Sequence, residues 1–478
     1  MSIEATSEAP PPQGGAAGPA PEGLFAAGRG PLVVGLALTV TLVAFEALAV
    51  ATIMPDVKDD LGGLGLYGWV FSGFFLGSLL GIVLAGDLVD RRGLVPPYLF
   101  GLAMFAAGLL VGGFAVSMPM LVGGRILQGI GAGAIPATGY AAIGRGVPAP
   151  LRPKMFAVLS TAWVVPGLAG PSLALLLEHA LSWRAVFLVL VPLVAVAGVV
   201  TVPAIAPFGR VTDDEADAEH AVAARRRLRL VLVLVAGLGA VSAAATGAAL
   251  VLAVPLVAVG LPVAAWALVQ LLPPGTLRLS PGIPVTVAAR GVLTFAFFAA
   301  DAFVPLAVVD GRNGSNVVSG VALTLCTLAW AVASWVQARL IERLGPRTID
   351  QLGFAALAVA SLGLVGAALG MPVWTFVPAW TIGGFGIGLA YAPQAVTVLG
   401  LAGEGDEGSA SASIQLADGV GVAIGTGLAG AVVAFGNAHG WEVADSVLVV
   451  FAIATAGALA GVLVAGRLPR VVPHHDPA

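Results

Sequence analysis

Four ionisable side chains, Glu46, Arg125, Asp301 and Asp418, stand inside stretches of sequence that are otherwise almost wholly apolar. A charge at the centre of a bilayer costs at least about 2.5–3.5 kcal/mol, so each needs a compensating use. The chemistry open to such a set is proton and ion binding. A carboxylate in an apolar cavity takes up and releases protons or holds a cation, and an arginine at the same depth fixes or frees its charge. Depth follows from the helix rise of about 1.5 Å per residue. Glu46 lies nine residues before Pro55 and Asp301 nine before Asp310, which puts each about 13 Å below one membrane face. Arg125, five residues past Met120, is about 8 Å below the same face. The expected arrangement is one water-filled cavity in which Glu46 and Asp301 bind protons or a cationic substrate under the control of Arg125. A static ion pair between the first and fourth spans is the plainer alternative. Asp418, nine residues after Ser409, enters from the other face and reads either as a second relay or as a polar group facing the cleft. Arg290, near the start of its apolar run, is expected to snorkel to the interface.

These side chains need helices to hold them, and the composition supplies helices of the membrane kind. The chain is 58% hydrophobic and 10% charged, with a mean hydropathy of +0.99, against about a quarter charged in soluble domains. Sixty-five glycines suit close helix contact in lipid, where small residues govern packing. Residues 1–30, rich in Pro, Ala and Gly, read as a disordered cytoplasmic tail. Apolar runs follow near 31–54, 67–86, 95–116, 120–143, 155–177 and 184–206, then a charged linker at 207–227. The stretch 228–272 would be about 67 Å long as one helix, twice the hydrocarbon thickness of about 30 Å, and so reads as an inserted hairpin of two spans. Six more runs occupy 283–466, and 467–478 is a second cytoplasmic tail. The total is fourteen spans. With both termini cytoplasmic, 17 of the 22 Lys and Arg residues fall on the cytoplasmic side, as the positive-inside rule requires. Sliding the chain by 255 places Gly129, Gly131 and Gly133 on Gly384, Gly386 and Gly388 and Glu46 on Asp301. Spans 1–6 and 9–14 therefore read as parallel repeats.

Between the second and third spans the chain reads Gly86-Asp87-Leu88-Val89-Asp90-Arg91-Arg92-Gly93, expected as a tight loop, and a second version at 338–347 carries Glu342, Arg343 and Gly345. The first copy resembles the G-x-L-x-D-R-x-G loop of major facilitator superfamily transporters. Three further stretches extend the resemblance. Arg125-Ile126-Leu127-Gln128-Gly129-Ile130-Gly131 is similar to the R-x-x-Q-G-x-G motif of the fourth span, whose arginine the family links to proton transfer. Gly167-Leu168-Ala169-Gly170-Pro171 resembles the G-x-x-x-G-P motif of exporters in the fifth. Glu46 to Pro55 resembles the first span of the fourteen-span drug:proton antiporters, with Glu in place of the commoner Asp.

The resemblance implies an all-α integral membrane protein of two six-helix bundles around a central cavity, with the hairpin added. It also implies secondary transport by alternating access, in which Asp90 and Arg91 latch the cytoplasmic seam and Gly167, Gly170 and Pro171 form a hinge. The expected function is proton-coupled efflux of small lipophilic or cationic compounds across the plasma membrane of a bacterium. A dedicated exporter or importer of one lipid or metabolite is the alternative. The expected partners are the substrate, protons and the bilayer, with no nucleic acid; the sequence leaves the oligomeric state open and is compatible with a monomer. No cofactor is expected, the proton gradient serving as the energy source. An enzyme is disfavoured because His179, His220, His439, His474 and His475 all fall in loops or tails, and ATP-driven pumping because no G-x-x-x-x-G-K-[ST] loop occurs. A sensor that transports nothing would have no use for the motif loops and buried carboxylates.

Overall fold

The computed structural model describes residues 24–25, 29–148, 151, 155, 158–159, 161–208, 216–245, 250–402 and 407–470. Most of the two expected tails and the first part of the linker lie outside them. Every regular element among the described residues is helical. Thirteen helices are long and apolar enough to cross a membrane, and the shorter apolar helix Val164–Ala180 occupies the place of the fifth span.

We number them α1 (Gly30–Leu61), α2 (Tyr67–Arg92), α3 (Val95–Gly113), α4 (Met118–Gly146), α5 (Val164–Ala180) and α6 (Trp183–Ile205) in the first bundle. The hairpin is α7 (Ala216–Ala245) and α8 (Leu250–Leu271). The second bundle holds α9 (Ile283–Gly311), α10 (Asn316–Ile341), α11 (Arg343–Ala368), α12 (Phe376–Leu401), α13 (Glu407–Ala438) and α14 (Val443–Ala465). Helix α7 starts within the expected linker because Ala216 to Arg229 is rich in Ala and Arg, both strong helix formers.

The repeat written in the glycines is a repeat of contacts. A Cβ on Gly129 would strike the Phe74 carbonyl, and one on Gly384 would strike that of Cys326. Gly131 lies against Gly101 and Phe105 as Gly386 lies against Gly353 and Leu357, and Gly133 against Ser78 as Gly388 against Trp330. In both bundles these three glycines let the fourth helix approach its neighbours backbone to backbone, the contact available where apolar burial no longer drives association. The bundles meet along two seams, α2 with α13 and α5 with α10. The hairpin covers the first seam: α7 packs on both α2 and α13. Helix α8 turns Leu252, Val254, Val259, Leu261 and Trp266 outward as an apolar surface.

The two charged repeats are less loop than the sequence suggests. Helix α2 runs on to Arg92, and the chain turns at Gly93, φ +76°. The second copy is helical on both sides of Gly345, φ +73°. Only the closing glycine of each motif leaves the helix, in the left-handed region that glycine enters without strain. The basic residues before it sit where a helix C-terminus favours positive charge. A Cβ on Gly86, inside α2, would meet nothing within 4 Å, so this conformation does not require glycine there.

Candidate functional site

Helices α1 and α4 hold the first pair of charges. Arg125 donates from Nη1 to Glu46 Oε1 and to Gln128 Oε1 at 3.2 Å, and from Nε to the Val70 carbonyl at 3.0 Å. Gln128 donates to Glu46 Oε1 at 3.1 Å, and the guanidinium lies 4.3 Å above the Phe74 ring. Glu46 is 0% exposed and Arg125 2%. One carboxylate oxygen, Oε2, is buried without a hydrogen-bond partner, so the network holds the charge while leaving one oxygen open to a proton.

The second bundle repeats this design with one substitution. Trp380 Nε1 donates to Asp301 Oδ1 at 2.8 Å, across the same 79-residue separation that joins Arg125 to Glu46. The repeat thus puts an acid on the first helix and a donor on the fourth in each bundle. The first donor is charged and the second is neutral. What joins the two sites is a chain of ring contacts. Trp380 stacks on Phe297 (4.9 Å between centroids), Phe297 meets Phe298 (5.1 Å), Phe298 meets Phe75 across the seam (5.9 Å), and Phe75 meets Phe74 (5.3 Å) beneath Arg125. With Glu46 fully buried, the acids do not share an open cavity in this conformation.

Asp418 lies in a third cluster. Tyr391 donates its hydroxyl to Asp418 Oδ2 at 3.2 Å, and Arg290 Nη1 stands 3.6 Å from Oδ1. Arg290 does not snorkel. It is 2% exposed, its guanidinium stacks 3.6 Å from the Tyr391 ring, and Nη2 donates to the Tyr391 carbonyl. A half-buried acid and an aromatic face reward turning inward more than the interface rewards reaching out.

The expected latch and hinge are placed as follows. Arg91 pairs with Asp87 on its own helix (Nη2 to Oδ1, 2.7 Å), not across the seam, because an acid four residues back is the nearest partner a helix offers. The side chains of Asp90 and Glu342 lie outside the described ones, and Arg343 is exposed. On α5, a Cβ at Gly167 would strike Thr327 of the opposite bundle, whereas one at Gly170 would make ordinary 3.6 Å contact with Leu48. Pro171, inside the helix, supplies no N–H to bond back to Gly167.

Sequence reasoning passed over the contacts that close the end of the molecule opposite the charged motifs. Lys58 of α1 bridges to Asp310 of the second bundle, and Asn316 donates to Asp56 at 2.9 and 3.2 Å. Tyr67 packs on Phe303 at 5.3 Å beneath them. The available signal was the opposite charge of two residues that each close the outer end of the first helix of a bundle. Replacing Lys58 by Met removes one partner of a partly exposed pair worth about 1 kcal/mol. We expect the open population of this end to rise about fivefold. The check is the distance distribution between spin labels at 116 and 315 in a Cys326→Ala background.

Comparison with known proteins places the chain. The family model described as Major Facilitator Superfamily matches residues 36–426. A probable multidrug-efflux transporter of Mycobacterium tuberculosis (strain ATCC 25618 / H37Rv) is 30% identical over 430 residues, covering 86% of this chain and 88% of that protein. Multidrug resistance protein 3 of Bacillus subtilis (strain 168) is 31% identical over 166 residues, 35% of this chain and 32% of that protein. The crystal structure of a D-xylose-proton symporter superposes with a TM-score of 0.64 at 13% identity, covering 93% of this chain and 99% of that one. That last likeness is one of fold.

Proposed function

The chain belongs to the Major Facilitator Superfamily, and as a transporter of that family we propose that it exports small lipophilic or cationic compounds across the plasma membrane in exchange for protons. The observation that carries this reading is the mirrored pair of acids, buried Glu46 held by Arg125 and half-buried Asp301 held by Trp380, at matching positions of the repeat. Each acid sits on the first helix of its bundle, where rocking of one bundle against the other changes its surroundings. The chain of rings between them suits a flat, lipophilic cation, which aromatic faces attract. Glu46 Oε2 takes the proton. The charge on Arg125 then loses its partner, and the network reorganises as the seam opens.

Both termini are cytoplasmic in this reading, so the Lys58–Asp310 end faces outward and the conformation described is closed on that side. In everted vesicles, whose lumen stands for the cell exterior, we expect dye accumulation driven by a proton gradient, and we expect Glu46→Gln and Asp301→Asn to lose it by at least tenfold while inserting normally. An active parent with variants that match it would move proton coupling elsewhere. A parent that moves no cationic dye would overturn the substrate class.

A further inference from the structure

A carboxyl group in the second bundle belongs to none of these arrangements. Asp350, two turns into α11, is 0% exposed, as is Gln394 of α12. Gln394 Nε2 donates to Asp350 Oδ2 at 3.0 Å. The other oxygen of each side chain, Asp350 Oδ1 and Gln394 Oε1, is buried with no hydrogen-bond partner. The pair therefore has two orphaned acceptors and is short of one hydrogen. A buried polar atom left unpaired costs about 1–3 kcal/mol, more when it carries charge. One proton on Asp350 relieves both: the acid O–H donates to Gln394 Oε1 while the amide continues to donate to the carboxyl, closing a ring of two hydrogen bonds.

The surroundings supply one cation for two carboxyls. Arg290 of α9 stands 3.6 Å from Asp418 and within electrostatic reach of Asp350, and its own Nε has no partner. Tyr391 of α12 donates to Asp418, and Tyr140 of α4 faces Asp418 from the other bundle. On α11 itself Arg347 is turned away to the Leu468 carbonyl at 2.6 Å. Helix α14, which also packs on α11, carries its one charge, Asp445, in the first turn at the opposite end. The fold does not demand an acid here. The register that matches Gly353 to Gly101 and Leu357 to Phe105 puts Tyr98 at the matching position of the first bundle, paired with Thr39 at 2.6 Å, both neutral.

We propose that Asp350 and Gln394 form a proton-binding site of the second bundle, occupied in this conformation and emptied when Arg290 moves from Asp418 to Asp350. The proton leaves as the guanidinium arrives, so the site keeps one neutralising charge in either state, and Asp418 takes up the proton that balances the loss of Arg290. The part this plays in transport rests on the proton-coupled reading above; the presence of the proton does not.

Infrared difference spectroscopy of the full chain in lipid tests it. At neutral pH the parent is expected to show a hydrogen-bonded carboxylic acid C=O band that Asp350→Asn removes and Gln394→Leu shifts. Asn places an N–H where the acid O–H stood, so that variant should melt within a few degrees of the parent. Should it fail to fold, the Gln394→Leu shift decides alone. A band unchanged by both variants overturns the proposal, and so does loss of the parent's band when sodium chloride replaces choline chloride, which would make the occupant a sodium ion. In vesicles, Asp350→Asn should keep dye counterflow and lose gradient-driven efflux at least tenfold; driven efflux at the parental rate would overturn the carrier role. If the parent moves no dye, the export reading fails while the infrared result stands.

Discussion

Replacing Arg125 by Leu is expected to cost about 3–5 kcal/mol of stability. The side chain makes four contacts at once: to Glu46, Gln128 and the Val70 carbonyl as donor, and to the Phe74 ring with its face. Its removal leaves a carboxylate at 0% exposure with only the Gln128 amide to hold it. Breaking a buried pair from one side is costly for that reason, whereas removing both charges is close to neutral. The double variant Glu46→Gln/Arg125→Leu should therefore regain most of the loss, with a coupling energy of at least about 2 kcal/mol in a double-mutant cycle. Arg125→Lys should recover little, since an ammonium cannot reproduce the planar fork that reaches three oxygens and lies flat on a ring. Denaturation of the parent, Arg125→Leu, Glu46→Gln, the double variant and Arg125→Lys in one detergent is the measurement. Equal stability of Arg125→Leu and the parent would mean that Glu46 is already uncharged in the folded protein, and the static ion pair would fall with it.

The difference between what was legible in the sequence and what was not follows from the kind of information each feature needs. Hydrophobic run length and the 255-residue offset located the spans; the offset set Asp301 against Glu46, and the same shift sets Trp380 against Arg125. The structure turns both into donor–acid pairs of one separation. Depth was readable because the helix rise is fixed. Rotation was not. Depth put Glu46, Asp301 and Arg125 near one level, but only packing shows that the acids have separate partners linked by rings. Asp350 was missed because it stands at the very start of an apolar run, where a charge reads as interfacial. It is in fact buried, since α11 enters the bundle beside α12 directly after Gly345 turns the chain. Arg290 was misread for the same reason. The charged motif at 86–93 looked like a loop because its residues are polar, yet a helix protruding past the apolar layer carries polar residues equally well.

The second large effect is expected from a residue with no side chain. Gly68 of α2 and Gly430 of α13 meet across the seam between the bundles, so closely that a Cβ on Gly68 would strike the Gly430 Cα and one on Gly430 would come within 2.5 Å of the Gly68 Cα. Neither neighbour is a flexible side chain that swings aside. The helices themselves have to part. Gly68 lies one residue from Tyr67, whose ring packs on Phe303 under the Lys58–Asp310 bridge, so parting α2 from α13 here opens the same end of the molecule that those contacts close. Gly68→Leu should thus be tolerated by the fold and refused by this conformation. Overpacking of this size costs about 3 kcal/mol, equivalent to about a hundredfold shift between two states. We expect labels at 116 and 315 to report the long distance almost exclusively, substrate exchange to stop, and the melting temperature to change little. Gly68→Ala should give a smaller shift of the same sign, and Gly123→Leu, at a site where a Cβ meets nothing within 4 Å, should behave as the parent. Both bundles must touch at Gly68 for this end to shut. A Gly68→Leu protein that transports at the parental rate would show that the cycle never needs that contact, and the closed end described here would then lie outside the transport path.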